Sequence, residues 1–258
     1  MIITDTHTHL YSEEFNQDRS EMMQRAILNG VTRFFIPAID SNHTQSMYEL
    51  EKNYPENVFL MMGLHPTYVK ENYLEELAHV EKELASRKFY AIGEIGIDLY
   101  WDKTFVEQQK IAFRHQLKLA KKNNLPVVIH SRNSFDEIFE IVDQENDSSL
   151  RGVFHAFTGT FEQYQKIIEY GSFKVGIGGI VTYKNGGLDK VVAKMNLTDI
   201  ILETDSPYLT PVPKRGQRNE GQNIVLIAQK ISEILGLPLE DIAKVTTDNS
   251  LELFKIEI

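Results

Sequence analysis

The chain has 258 residues, no cysteine and a formal net charge of −10 at pH 7. Without cysteine, disulfides, thiolate metal sites and cysteine nucleophiles are excluded, so any metal ion must be bound by histidine, aspartate or glutamate. The acidic balance argues against a broad electropositive surface that follows a nucleic-acid backbone through many phosphate contacts. A small phosphate pocket is still compatible with this charge, because bound divalent ions supply local positive charge.

The composition is that of an ordinary globular protein, and the length suffices for one large α/β domain or two small ones. No linker, low-complexity tract or internal repeat divides the sequence, so we expect a single domain over residues 1–258. Met1 leads directly into an apolar run with no basic region before it, and no run of about 18 apolar residues could span a bilayer. We therefore expect a cytoplasmic protein without a membrane segment.

Short, β-rich apolar runs alternate with longer amphipathic stretches along the chain. Eight runs are predicted to be strands: residues 2–5, 33–37, 58–62, 90–93, 127–129, 152–154, 173–176 and 199–202. Residues 104–123 are predicted to form a helix, because Phe113, Leu117 and Ala120 recur at helical spacing. Eight β-then-α units in about 250 residues are typical of a (β/α)₈ TIM barrel. A doubly wound open sheet would give the same local signals.

The positions of the polar residues favour the barrel over the open sheet. In a (β/α)₈ barrel the loops after the strands form the active site at one face, so side chains from different strand ends converge there. The polar side chains at predicted strand ends are His7, His9, His65, Glu94, His130, Arg132, His155, Glu203 and Asp205. The barrel collects them in one place, whereas an open sheet would spread them along an edge.

Lone histidines usually make ordinary hydrogen bonds, and His43, His79 and His115 fit that interpretation because they lie in helical segments among polar neighbours. The pair His7 and His9 differs. If the first strand continues through it, both rings share one face of the strand. Two buried neutral imidazoles there would need partners for four ring nitrogens. The pair is therefore either an accident of composition or half of a metal site.

Buried strands also end in or contain charged and imidazole side chains. Glu94 stands in the apolar run Ala-Ile-Gly-Glu-Ile-Gly-Ile, so it should be paired with a cation or bound to a metal. His130 follows Pro-Val-Val-Ile, and His155 follows Gly-Val-Phe. Asp205 precedes Ser-Pro and could equally be a helix cap or turn residue. Taken singly, each of these residues has a plausible structural role.

Together, four imidazoles and two carboxylates on five strand ends provide enough ligands for two divalent metal ions. Glu94 could bridge the ions, and Asp205 could orient a water molecule and accept its proton. Metal ions make water a usable nucleophile near neutral pH. The chemistry predicted from these residues is hydrolysis of an ester, amide or phosphoester.

Five motifs resemble, in order and spacing, those of the TatD family of metal-dependent deoxyribonucleases, which are amidohydrolase-like hydrolases on a (β/α)₈ barrel. They are DTHTHL at residues 5–10, GEIGID at 93–98, PVVIHSR at 126–132, GVFHAFTG at 152–159 and LETDSPYL at 202–209. The resemblance extends from residue 2 to the region of Asn219. The set of five motifs is specific, whereas the HxH pair alone would be weak.

The resemblance implies a ligand set for two metals. One ion would be held by His7, His9, Glu94 and Asp205, and the other by Glu94, His130 and His155. Many related amidohydrolases bridge their metals with a carboxylated lysine, but the TatD branch has glutamate at the position of Glu94. The family usually has proline where this chain has Gly221, a difference that concerns only the start of the following helix.

The resemblance also suggests residues that contact substrate. His65 is expected to bind or polarise a substrate phosphate, although it could equally cap backbone groups. Arg132 is expected to contact phosphate or to serve as an ion-pair partner. Arg215 and Arg218 lie in a basic loop that would hold a nucleic-acid backbone, or else pair with nearby acids. Glu203 is expected to support a ligand imidazole from behind.

Tyr100 and Trp101 follow the fourth strand and have two interpretations. They could form a surface on which a nucleobase stacks. Aromatic residues after a strand are more often loop anchors that pack on a helix, and the sequence favours this second interpretation.

The leading hypothesis is a two-metal hydrolase that cleaves phosphodiester bonds of DNA, exonucleolytically on single-stranded or frayed ends. A second hypothesis keeps the metals but assigns a small-molecule substrate, as in an amidohydrolase, lactonase or phosphoesterase. A third is a catalytically silent metal-binding protein. Four imidazoles favour Zn, Mn, Ni or Co over Mg, whereas the family is often described as magnesium-dependent. DNA is the expected partner, and no obligate protein partner is evident from the sequence.

Overall fold

The computed structural model describes residues 1–256, in which eight strands alternate with helices. The strands are β1 (Ile3–Asp5), β2 (Val31–Ile36), β3 (Val58–Leu60), β4 (Ile92–Asp98), β5 (Val127–Arg132), β6 (Gly152–Phe154), β7 (Phe173–Ile177) and β8 (Ile200–Leu202). Each predicted strand is present, but β4 lies further along the chain than residues 90–93. It continues to Asp98 because the whole GEIGID segment is buried and pairs with β5 as far as Arg132.

Helices follow the strands and cover the outside of the sheet. They are α1 (Arg19–Leu28), α2 (Thr44–Asn53), α3 (Tyr73–Ser86), α4 (Val106–Asn123), α5 (Phe135–Glu145), α6 (Phe161–Glu169), α7 (Leu188–Val192), α8 (Ile224–Leu235) and α9 (Leu239–Phe254). The helix predicted over residues 104–123 begins at Val106 and ends where predicted. Within residues 1–256, no helix combines the length and the apolar character needed to cross a membrane.

The strands are parallel and close into a barrel. Ladders join β1 to β3 in one group and β4 to β8 in another. The first gap is bridged between Met62 and Ile92, where the amide of Gly93 donates to the carbonyl of Met62 over 2.9 Å. The second is bridged by the amide of Thr6, which donates to the carbonyl of Leu202 over 3.0 Å. These contacts confirm the predicted (β/α)₈ barrel and exclude the open sheet.

The alternation of side chains along the strands produces two apolar cores. The larger packs the outward strand faces against the helices. The smaller contains Phe35, Met61, Ala91, Val128, Val153 and Ile201 from the strands, together with Leu253 and Phe254 from the end of α9. The Phe254 ring stacks on Phe35 with centroids 4.1 Å apart. The C-terminal helix thereby packs against the barrel interior, and the carboxyl ends of the strands are left for polar residues.

Strand β4 is irregular where the functional residues begin. Its register with β5 shifts between Ile92 and Ile95, and the amide of Glu94 donates to Ala38 instead of to β5. Such a bulge changes the direction of one side chain. Two residues later, Gly96 has a φ of 144°, and a Cβ atom there would lie 2.0 Å from the carbonyl oxygen of His130. Glycine is therefore required for β4 to pass β5 at this point.

Asp5, at the end of β1, fixes the segment that follows β8. Its carboxylate accepts hydrogen bonds from the amide of Thr204 at 2.9 Å and from the Thr204 hydroxyl at 2.7 Å. Asp5 is fully buried, and this burial raises the pKa of its carboxyl well above the ordinary value. The contact holds Thr204 in place, and with it the neighbouring residues Glu203 and Asp205.

Replacing Asp5 with alanine is expected to lower the free energy of unfolding by about 1–3 kcal/mol, because the buried Thr204 donors lose their acceptor. Urea unfolding of the metal-stripped protein, followed by circular dichroism, measures this effect without a contribution from metal binding. The exposed Glu56→Ala is the control and should leave the midpoint unchanged. Equal midpoints for Asp5→Ala and wild type would contradict the proposed contact.

Candidate metal centre

The loops after the strands bring the predicted ligands together at the carboxyl ends of the barrel. β1 ends at Asp5 as predicted, so His7 and His9 lie in the loop just beyond it and not on a face of the strand. The amides of residues 6 and 8 donate to Leu202 and Phe35 on opposite sides of β1, and the amide of His9 donates to Ser206. This bonding leaves the two ring planes 74° apart, yet their Nε2 atoms are 3.3 Å from each other.

One group of ligand atoms surrounds Oε2 of Glu94. Nε2 of His7 lies 3.1 Å from this oxygen, and Nε2 of His9 lies 3.6 Å from it. Oδ1 of Asp205 completes the group at 3.8 Å from His7 and 3.4 Å from His9. Two imidazole nitrogens and two carboxylate oxygens facing one point are a suitable donor set for a divalent ion such as zinc.

The other carboxylate oxygen of Glu94 faces a second group. Nδ1 of His130 lies 2.8 Å from Oε1 of Glu94, and Nε2 of His155 lies 3.5 Å from it. The His155 ring stacks on that of His7 with centroids 3.5 Å apart, so the two groups adjoin each other. Glu94 thus stands between them and contacts both.

Asp205 is positioned by the backbone of the first histidine. Its amide donates to the carbonyl of His7 over 2.9 Å. Its φ of 55° lies in the left-handed region, which aspartate enters more readily than most residues. The side-chain amide of Asn219 donates to Thr204 and Tyr208 on either side, which holds this turn in place.

The hydrogen-bond partner of each ring sets its tautomer. The Tyr11 hydroxyl donates to the carbonyl of Pro37 at 3.1 Å, so it accepts from Nδ1 of His9, which lies 3.1 Å away. This leaves the lone pair of His9 on Nε2, where the other ligands converge. Nε2 of His130 lies 2.9 Å from Oδ2 of Asp98, which leaves the lone pair of that ring on Nδ1. Both arrangements are typical of histidines that bind metals.

Glu203 supports His155 as the sequence suggested. Its Oε1 lies 3.0 Å from Nδ1 of His155 and also accepts from the amide of Ala156. Gly176 in β7 leaves room for this carboxylate, because a Cβ atom there would lie 2.2 Å from Oε2 of Glu203. Glu203 and Asp98 therefore hold the backs of the two rings that face Oε1 of Glu94.

Asp98 and Tyr11 were given no role from the sequence. Asp98 had a usable signal, since it ends the same buried run as Glu94 and so needs a partner. Tyr11 had no such signal, because its contact with His9 depends on the path of the loop after β1.

His65 approaches the same oxygen without the properties of a ligand. Its Nε2 lies 3.3 Å from Oε1 of Glu94 and 3.3 Å from Nδ1 of His130. However, its Nδ1 accepts a hydrogen bond from the amide of Thr67 at 3.1 Å. The ring proton of neutral His65 therefore sits on Nε2, which makes this atom a hydrogen-bond donor toward the cleft.

Four carboxylates lie among these imidazoles, namely those of Glu94, Asp98, Glu203 and Asp205. Burial raises the pKa of Glu94, but attraction to the imidazoles, that of His65 foremost, outweighs burial and holds the pKa well below its ordinary value. Burial lowers the pKa of His155, but Glu203 and Glu94 outweigh it and raise the pKa to about 10. Protonated His155 thus offsets part of the negative charge in the absence of metal, and divalent ions would replace such protons.

The site opens into a cleft of about 1070 Å³ at the barrel mouth. Arg132 lines this cleft together with His65 and the ligand residues. Arg215 and Arg218 are not among its lining residues. Arg215 lies over the ring of Tyr183, and Arg218 donates to both carboxylate oxygens of Asp18 at 2.7 and 2.8 Å.

The donors of Arg218 are therefore already engaged in holding its loop against α1. For Arg218, the structure shows the alternative that the sequence left open, which is pairing with a nearby acid. A role of Arg215 and Arg218 in binding substrate stays a prediction.

The barrel and its cluster of histidines and carboxylates are those of a metal-dependent hydrolase. The chain belongs to the family described as TatD related DNase, whose model matches residues 4–255. It is 35% identical to the uncharacterized metal-dependent hydrolase YabD of Bacillus subtilis, over 99% of this chain and 100% of that protein.

Solved structures agree with this assignment. The structure of YjjV, a TatD homologue from Escherichia coli, is 31% identical and superposes with a TM-score of 0.92, covering 99% of this chain and 98% of that one. A TatD family hydrolase from Entamoeba histolytica is 24% identical with a TM-score of 0.85, covering 98% of each chain. At that identity the second similarity supports the fold alone.

Replacing Glu94 with alanine is expected to remove most of the bound metal, because one carboxylate contacts both groups of ligands. Metal content after dialysis, measured by inductively coupled plasma mass spectrometry, tests this expectation. His115→Ala is the matched control, since His115 pairs with Glu81 on the surface and should retain wild-type metal content. Full metal content in a folded Glu94→Ala protein would contradict the assignment.

Proposed function

We propose that this protein hydrolyses phosphodiester bonds of DNA with two divalent metal ions. The observation that carries the proposal is the position of Glu94, whose Oε2 lies 3.1 Å from His7 while Oε1 lies 2.8 Å from His130. One carboxylate facing two sets of ligands is suited to bridging two ions. The four carboxylates of the cluster, that of Glu94 included, also match the charge of two divalent cations, which limits the cost of burying them.

His7, His9, Glu94 and Asp205 would hold one ion, and Glu94, His130 and His155 the other. Bound divalent ions would lower the pKa of water and offset negative charge that develops on phosphate. Four imidazoles among the ligands favour Zn, Mn, Co or Ni over Mg, which prefers oxygen ligands.

Asp205 is the proposed general base. Burial raises the pKa of Asp205, but its hydrogen bond with His9 and its attraction to His155 outweigh burial and lower the pKa, so the carboxylate is ionised at neutral pH. It accepts the proton of the attacking water as the new P–O bond forms. The bond to the leaving oxygen then breaks, that oxygen takes up a proton from solvent, and the products are a phosphate monoester and a free hydroxyl group; Asp205 later releases the proton it accepted.

His65 is the proposed partner of the phosphate. The nitrogen of its Nε2–H donor lies 3.3 Å from Nδ1 of His130 and from Oε1 of Glu94. If bound metal ions engage those two atoms, this donor would be free for a non-bridging phosphate oxygen. Such a hydrogen bond would stabilise charge in the transition state. The family description of a DNase supports DNA as the substrate, and a cleft that receives one terminal nucleotide would suit exonucleolytic cleavage of single-stranded or frayed ends.

Hydrolysis of a small molecule is a second candidate function. Within residues 1–256, Arg132 is the one arginine or lysine that lines the cleft, and Arg218 is tied to Asp18. A neutral lactone, an amide or a small phosphoester would need no more cations than this. A catalytically silent metal-binding role, the third hypothesis, predicts no turnover with any metal. A cytoplasmic location and the lack of an obligate protein partner stay predictions.

Asp205→Asn is expected to lower kcat for single-stranded DNA by about 10²–10⁴-fold, because an amide cannot accept the proton of water. The assay follows end-labelled oligonucleotide with metal-stripped protein reloaded with Mg²⁺, Mn²⁺ or Zn²⁺. Asp143→Asn, which alters a surface carboxylate paired with Lys166, is the matched control. A wild-type rate for Asp205→Asn would remove Asp205 from the role of base. Cleavage of a lactone or aryl phosphodiester without any cleavage of DNA would favour the second candidate.

His65→Ala is expected to lower kcat/KM for DNA by roughly 10- to 100-fold while metal content stays complete, because the ring donates a hydrogen bond instead of binding an ion. The same preparations are assayed for turnover and for bound metal. Loss of one metal equivalent would mean that His65 is a ligand, and unchanged kcat/KM would exclude contact with the phosphate.

A further inference from the structure

Two large aromatic side chains are exposed at the rim of the cleft. Tyr100 is 52% exposed and Trp101 is 67% exposed, and both line the same cleft as Glu94 and Asp205. Their rings meet edge to face, with centroids 4.9 Å apart. The preferred expectation from the sequence, that they anchor a loop by packing on a helix, is wrong. Exposed aromatic surface beside an active site is typical of a contact with a ligand.

Arg132 joins these two rings. Its guanidinium carbon lies 4.0 Å from the centroid of the Tyr100 ring and 5.2 Å from that of Trp101. Among residues 1–256, no carboxylate lies within 4.0 Å of its guanidinium nitrogens, in contrast to Arg25, Arg87, Arg114 and Arg218. Stacking therefore orients the Arg132 side chain while its charge is left available to an anion. Tyr100, Trp101 and Arg132 are referred to below as the rim cluster.

A single carboxylate ties the rim cluster to the metal site. Oδ1 of Asp98 accepts hydrogen bonds from the amides of Tyr100 at 2.9 Å and Trp101 at 3.1 Å. Oδ2 of the same residue lies 2.9 Å from Nε2 of His130. Arg132 follows His130 by two residues, and its carbonyl accepts from the amide of Leu99. The distance between the rim cluster and the ligand His130 is therefore fixed by hydrogen bonds on both strands.

We propose that the rim cluster is a nucleobase subsite, in which one base of a single-stranded substrate stacks on the exposed rings and Arg132 pairs with the adjoining phosphate. Stacking on aromatic rings holds single strands without reading sequence, and Arg132 supplies a cation for the backbone beside the rings. It thus accounts for how a chain with a net charge of −10 could retain a polyanion. This subsite rests on the proposed function, because it places a base next to the phosphodiester that is cleaved.

The chain contains one tryptophan, so its intrinsic tryptophan fluorescence reports on Trp101 alone. Metal-loaded Asp205→Asn protein, whose turnover is expected to be about 10²–10⁴-fold slower than wild type, is titrated with a short oligothymidine and with an abasic deoxyribose-phosphate oligomer of the same length. Both oligomers carry the same phosphates. We expect the oligothymidine to quench or shift the emission and the abasic oligomer to leave it nearly unchanged.

The kinetic test compares the ratio of kcat/KM for oligothymidine to kcat/KM for the abasic oligomer. Trp101→Ala should reduce this ratio by roughly 5- to 50-fold, and Trp101→Phe should restore most of it, because a second aromatic face is present again. A defect in folding or metal binding would lower both rates and leave the ratio unchanged. Ile111→Ala, which removes an exposed apolar side chain of α4 outside the cleft, is the control and should keep the wild-type ratio.

The outcomes separate this subsite from the nuclease reaction. Asp205-dependent cleavage with an unchanged ratio in Trp101→Ala would overturn the subsite and leave the proposed function standing. Quenching by oligothymidine alone, without cleavage by any metal form of the wild type, would support the base contact and overturn the nuclease reaction. Neither quenching nor cleavage would overturn both.

Discussion

The structure depends on one constraint, which is the burial of carboxylates among imidazoles at the end of the barrel. Glu94 is 2% exposed and contacts rings from four different strand ends. Buried charge is tolerated only where opposite charge or hydrogen bonds compensate for it. Here part of the compensation comes from His155, whose pKa is raised to about 10, and on metal binding divalent ions would replace such ring protons. The stability of this cluster therefore depends on whether divalent ions are bound.

Two irregularities of the barrel position the residues of this cluster. The strand ladders of the barrel are interrupted in two places, between β3 and β4 and between β8 and β1. These two gaps lie next to the segments that carry Glu94 and Asp205. At the first gap Glu94 leaves its ladder and donates to Ala38, and at the second Asp205 donates to the backbone of His7. The same interruptions that weaken the sheet turn ligand side chains toward the centre. The barrel is still closed at both gaps, because the amide of Gly93 donates to Met62 at the first and the amide of Thr6 donates to Leu202 at the second.

The side of the site that faces solvent has a different character from the buried side. The predicted ligands His9 and His130 are held by neighbours in fixed tautomers. The rim presents aromatic rings, the donor of His65 and the guanidinium of Arg132, which pairs with no carboxylate among residues 1–256. A few directed contacts of this kind can select a substrate without a field of positive charge. An acidic protein can therefore be compatible with an anionic substrate if that substrate is bound through one or two such contacts at the rim.

The sequence by itself determined the fold class, the order of the strands and which predicted metal ligands the fold would bring together, since local periodicity and the positions of polar residues in apolar runs can be read directly from it. It could not determine the bulge that turns Glu94, the loop that brings Tyr11 behind His9, or the exposure of Trp101. It also left Arg218 between two roles, which its pairing with Asp18 distinguishes. Each of these depends on contacts between segments far apart in the chain, and only tertiary packing specifies such contacts.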